Sequence, residues 1–60
     1  MNMVSIRKVG SKLSIELREE TFVDIYFVDA AKAEAEFERL RKDMVLDFTK
    51  MDSKYFQVGA

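Results

Sequence analysis

The chain has no cysteine, no histidine, no proline and no tryptophan. The first two absences exclude disulfide staples and thiolate or imidazole zinc sites, the usual supports of a very small domain. They also remove the commonest general base and the thiol nucleophile, leaving Asp, Glu, Lys, Tyr, Ser and Thr as candidates. Without proline, and with glycine only at Gly10 and Gly59, the sequence carries few marks of where elements stop. It lacks a long apolar run as well: nothing approaches the ~20 residues of a membrane-spanning helix. The opening "MNMVSIRK" has no apolar h-region of the secretory kind, so a cytoplasmic chain is expected. A formal charge of −1 supplies no global field toward nucleic acid or anionic lipid.

What is present is globular in kind. Of 60 residues, 48 % are hydrophobic and 35 % charged, too apolar for a disordered chain. One domain is the most that this length allows. A chain so small buries only about 60 % of its unfolded surface, so it depends on good packing or on association.

"VSIRKVGSKLSIEL" reads as a β-hairpin around Gly10-Ser11, a glycine-first loop suited to a type II′ turn. That turn sets Val9 opposite Lys12, Ile6 opposite Ile15 and Val4 opposite Leu17. One face then collects Val4, Ile6, Leu13, Ile15 and Leu17, the other Ser5, Arg7, Ser14, Glu16 and Arg18. For the next strand, "FVDIYFVD", a two-residue turn at Glu19-Glu20 would oppose Ile15 to Asp24 and bury a carboxylate. A three-residue loop, Glu19 to Thr21, pairs Leu17 with Val23, Ile15 with Ile25 and Leu13 with Phe27 instead, and sets Glu16 against Asp24.

Asp29 is a good N-cap for the helix-forming run "AAKAEAEFERLRKDM". Its charges match at helical spacing, Lys32 with Glu36, Glu38 with Lys42 and Glu36 with Arg39, and its apolar stripe is Ala30, Ala33, Phe37, Leu40 and Met44. Phe48, Met51 and Tyr55 continue that stripe, so the helix is expected to run to about residue 50 rather than to stop near Met44. "KYFQV" then supplies a short last strand, parallel to the first and beside it. The fold class expected is α+β: a three-stranded antiparallel meander, one long helix and a C-terminal strand, in the order β-β-β-α-β.

No constellation carries chemistry. The carboxylate pairs Glu19/Glu20 and Glu34/Glu38 fall in a turn and on a solvated helix face. Asp43, Asp47 and Asp52 lack the alternating ligands and central glycine of a calcium loop. Neither an enzyme, nor a metal site, nor a cofactor is expected. The informative feature is an apolar surplus: beyond one core face, Met3, Val9, Phe22, Tyr26 and Val28 fall on the second face of the sheet, and Phe48 and Met51 on a helix end overhanging it. Uncovered apolar surface of this kind marks association. The expectation is a protein–protein interaction module, most simply a homodimer, with another protein as the other possible partner and no membrane contact. The alternative is a sheet for single-stranded nucleic acid, using Arg7, Lys8, Lys12 and Arg18 with Tyr26 as stacking platform, although Glu16 and Asp24 would lie among those cations.

Overall fold

The computed structural model describes residues 1–18 and 20–59. Strands β1 (Ser5–Val9), β2 (Lys12–Arg18) and β3 (Thr21–Phe27) form an antiparallel meander, followed by helix α1 (Ala30–Asp43) and strand β4 (Phe56–Gly59). The α+β architecture in the order β-β-β-α-β is therefore that expected from the sequence. In the sheet the strands lie in the order β1-β2-β3-β4.

The first hairpin follows its turn chemistry. Gly10 takes φ 62 while Ser11 stays outside the left-handed region, and Val9 pairs with Lys12 and Ile6 with Ile15. Val4 departs from the expected register. It precedes β1 and is exposed, whereas Met3 turns into the core at 8 % exposure. The reason is the pairing of the first residues with another segment: Asn2 bridges Val45, and the Met3 N–H donates to the Met44 carbonyl at 3.0 Å.

The second hairpin corrects both registers considered for it. Arg18 pairs with Thr21, so only two residues separate the strands, but Leu17 is a β-bulge between Glu16 and Arg18. The extra residue restores the parity that a plain two-residue turn would break. Ile15 then opposes Val23, Leu13 opposes Ile25, and Asp24 meets Ser14 rather than Glu16 or Ile15. Within the expected Glu19–Thr21 loop, Glu19 lies outside the described residues. Glu20 is held at φ 61, a conformation that favours glycine.

Helix α1 starts where its cap predicts: the Lys32 N–H donates to Asp29 Oδ1 at 2.8 Å. It ends earlier than expected. Met44 adopts φ 54 and caps the helix, its N–H donating to the Leu40 carbonyl at 2.7 Å. Leu46 supplies the physical reason. Continued helix would set Leu46 about 200° around the axis from Met44, facing solvent. Stopping at Asp43 lets Leu46 fold into the core, where it is 1 % exposed. A 14-residue helix is about 21 Å long and does not overhang seven-residue strands of about 23 Å. Of the three expected helix pairs Glu36–Arg39 forms; Glu38 pairs with Arg41, and Lys32 lies 4.1 Å from the Tyr55 ring centroid.

Residues 44–55 then run back along the sheet through two 3₁₀ turns, Phe48–Lys50 and Ser53–Tyr55. This return delivers the chain to the end of β3, where the Val28 N–H donates to the Tyr55 carbonyl at 2.9 Å. The last strand must therefore pair antiparallel with β3, Phe27 opposite Phe56, and not parallel beside β1. Helix and return segment cover the same face. Lys8 reaches Glu34 of the helix at 3.6 Å, while Phe48 stacks on Phe56 at 5.9 Å and Phe27 tilts against it at 5.8 Å. Leu13, Ile15, Ile25, Ala33, Leu40, Leu46 and Met51 are the interior between them.

Two local features are testable. Replacing Glu20 with Gly removes a left-handed cost of about 1–2 kcal/mol against a smaller loss of chain entropy. Urea unfolding should show Glu20→Gly more stable than the parent by about 0.5–1 kcal/mol. Asp47 starts the first 3₁₀ turn, accepting from the Thr49 hydroxyl at 2.6 Å and its N–H at 3.0 Å. The hydroxyl bond first, and the backbone bond second, lower the Asp47 pKa below its ordinary 3.8. A lowered folded-state pKa stabilises the fold above the ordinary value, and the benefit is lost as pH falls through the lowered one. Urea midpoints of Asp47→Ala and the parent should differ at pH 6 and converge toward pH 2.

Candidate association surface

Alternation along the strands sends one set of side chains under the helix and the other to the opposite side of the sheet. On that opposite side the register aligns three rows across β1, β2 and β3. They are Val9–Lys12–Tyr26, Arg7–Ser14–Asp24 and Ser5–Glu16–Phe22. Gln57 and Gly59 of β4 extend the first two. A shallow depression of about 410 Å³ runs among Ser5, Arg7, Ser14, Glu16 and Phe22.

No element among the described residues covers this face. Helix and return segment both lie on the other side, so the C-terminal region does not fold beneath the sheet. Phe22 is 64 % exposed, Val9 55 % and Tyr26 47 %; Val28, just past β3, is 63 % exposed. Ser5 donates to Glu16 at 3.4 Å, and the Lys12 ammonium lies 6.0 Å from the Tyr26 ring centroid. The ion pairs of the described residues involve neither Arg7, Lys12, Glu16 nor Asp24. Among the described residues these four charges, two of each sign, stand among exposed apolar groups without forming an ion pair.

Of the seven residues expected on an association surface, Val9, Phe22, Tyr26 and Val28 are exposed. Met3, Phe48 and Met51 are not on that surface. Met3 and Met51 are core residues, and Phe48 is half-buried against Phe56. Their displacement has one cause, the early helix end, which pairs the first residues with 44–46 and turns the return segment inward.

The cations also divide. Arg7 and Lys12 belong to the open face. Lys8 points to the helix side, where it meets Glu34. Arg18 leaves the open face because the Leu17 bulge inverts its parity; it lines a hollow with Met1, Asn2, Leu17 and Thr21. Sequence alternation alone missed Arg18, and an unpaired extra residue is the signal that would have found it.

Elsewhere a cavity of about 220 Å³ lies between helix and return segment, lined mainly by Phe27, Lys32, Met51, Tyr55 and Phe56. It is smaller than the ~300–1,000 Å³ of ordinary ligand pockets. Among the described residues no group of acidic side chains could hold a metal ion, and no helix is long and apolar enough to cross a membrane. No family model, curated protein or solved structure matches the chain.

Tyr26 is the most constrained residue of the face. Its ring lies across Gly59, so close that a Cβ there would stand 2.7 Å from Cε2. The bare glycine is what lets the ring lie flat on β4. Gly59→Ala should therefore shift the Tyr26 ring resonances while changing stability by less than about 1 kcal/mol, since the ring can swing into solvent. A two-dimensional NMR spectrum of the aromatic region reads both the shift and the intact fold.

Proposed function

We propose that the chain is a small cytoplasmic protein–protein interaction module that associates through the open face of its sheet, as a homodimer. The supporting observation is the face itself: one side of a four-stranded sheet left bare, with Phe22, Tyr26 and Val9 exposed on it and Val28 at its end. A two-layer domain of this size hides its apolar groups only by covering each sheet face. A partner protein with a matching surface is the other occupant compatible with this reading.

Single-stranded nucleic acid is less well supported. Lys8 and Arg18 are withdrawn from the face, and the remaining Arg7 and Lys12 are balanced by Glu16 and Asp24. Without net positive charge the counterion-release attraction that carries such binding is lacking.

The molecule measures 28 × 20 × 17 Å, so its face is small beside the ~800 Å² per partner of a standard interface. A micromolar dimer is the expectation. Sedimentation equilibrium between about 1 and 200 μM should show the mass rising above the 7.0 kDa monomer. Phe22→Ser and Tyr26→Ser should return it to monomer with the fold intact by circular dichroism. A monomer throughout this range, its stability and solubility indifferent to both substitutions, would overturn the proposal.

A further inference from the structure

We infer that the open face is self-complementary about one particular axis, so that a second copy of the chain docks on it with its strands at right angles. The inference rests on the association reading above and specifies its geometry. The three rows form a three-by-three grid centred on Ser14, with Arg7, Lys12, Asp24 and Glu16 at the middles of its four sides. Val9, Tyr26, Phe22 and Ser5 occupy the corners.

Two copies meeting face to face are related by a two-fold axis lying in the interface, and each residue then meets its mirror position across that axis. Four axes pass through the centre along the symmetry lines of the grid. The axis along the strands opposes Lys12 to itself and Glu16 to itself, while setting Arg7 on the partner's Asp24. The one across the strands opposes Arg7 and Asp24 each to itself, while setting Lys12 on the partner's Glu16. The diagonal through Val9 and Phe22 brings Arg7 onto Lys12 and Glu16 onto Asp24, four like-charged contacts in the dimer. Like charges so placed rule out the Val9–Phe22 diagonal and leave the first two axes with attraction and repulsion mixed.

The remaining diagonal runs through Ser5, Ser14 and Tyr26, and every contact it makes is favourable. Arg7 meets the partner's Glu16, and Lys12 meets the partner's Asp24. Val9 packs on the partner's Phe22. Ser14 meets its own copy at the axis, where two hydroxyls hydrogen-bond, and the two Tyr26 rings stack at one corner. Gly59, lying beyond Asp24 in the middle row and covered by the Tyr26 ring, faces the partner's Gly10–Ser11 turn.

The geometry is physically ordinary. Neighbouring strands lie ~4.8 Å apart and alternate residues ~6.8 Å apart, so exchanging rows for columns misplaces each charge by only about 2 Å. Arg and Lys side chains span that easily. Reflection across the diagonal turns the strands of one sheet by about 90° against those of the other, which is the orthogonal class of sheet packing.

The test is a charge exchange between two variants. Arg7→Glu and Glu16→Arg each place two like-charged pairs in the homodimer, and each alone should weaken it at least about tenfold by sedimentation. In the equimolar mixture, both contacts across the diagonal regain opposite charges, and a heterodimer should form within about threefold of the parent affinity. Lys12→Glu with Asp24→Lys repeats the experiment on the other pair and serves if either first variant fails to fold by circular dichroism. A parent dimer whose mixed variants stay monomeric in both pairs would overturn the diagonal axis while leaving association through the face intact. A parent that is monomeric at every concentration would overturn both.

Discussion

The single extra residue at Leu17 governs how the sheet of this protein is composed. Two residues between Arg18 and Thr21 would, in a regular ladder, place Asp24 among the core leucines and isoleucines. The bulge shifts the parity of everything on β2 before it relative to β3. Ile15 and Leu13 then meet Val23 and Ile25 on the covered side, and Glu16, Ser14 and Lys12 meet Phe22, Asp24 and Tyr26 on the open side. Burying a carboxylate without a partner would cost several kcal/mol, far more than one irregular ladder step. The same residue sends Arg18 to the opposite side, so it fixes the charge balance of the open face as well as the packing beneath it.

A second constraint acts at the end of the helix. Leu46 cannot be buried while the helix continues, and its burial outweighs the left-handed backbone that Met44 must adopt. Full burial of a leucine is worth about 1.5–3 kcal/mol, against about 1–2 kcal/mol for the conformation. From this one exchange follow the pairing of residues 1–3 with 44–46, the inward turn of Met51 and Phe48, and the antiparallel entry of β4. Helix and return segment together cover one side only, and among the described residues no element covers the other.

Much of this was legible along the chain. Gly10-Ser11 dictated the first hairpin and its register. Asp29 dictated where the helix begins, and the alternation of "FVDIYFVD" marked Phe22, Tyr26 and Val28 as surplus to the core. The stretch after residue 43 was not legible, because Phe48, Met51 and Tyr55 fall at helical spacing by coincidence, and the contrary signal was Leu46 alone. Val4 and Met3 exchanged roles for a related reason: their placement depends on a strand partner more than forty residues away.

By itself the sequence determined the local elements and the fold class, since turn chemistry, capping and hydrophobic alternation act between near neighbours. It also determined that apolar groups exceed what one core face can hold. Only the tertiary structure decided which of them stay outside, because that depends on the bulge that sets the register and on the leucine that ends the helix. Both are settled by burial summed over contacts distant in the chain, a quantity that no window of neighbouring residues contains.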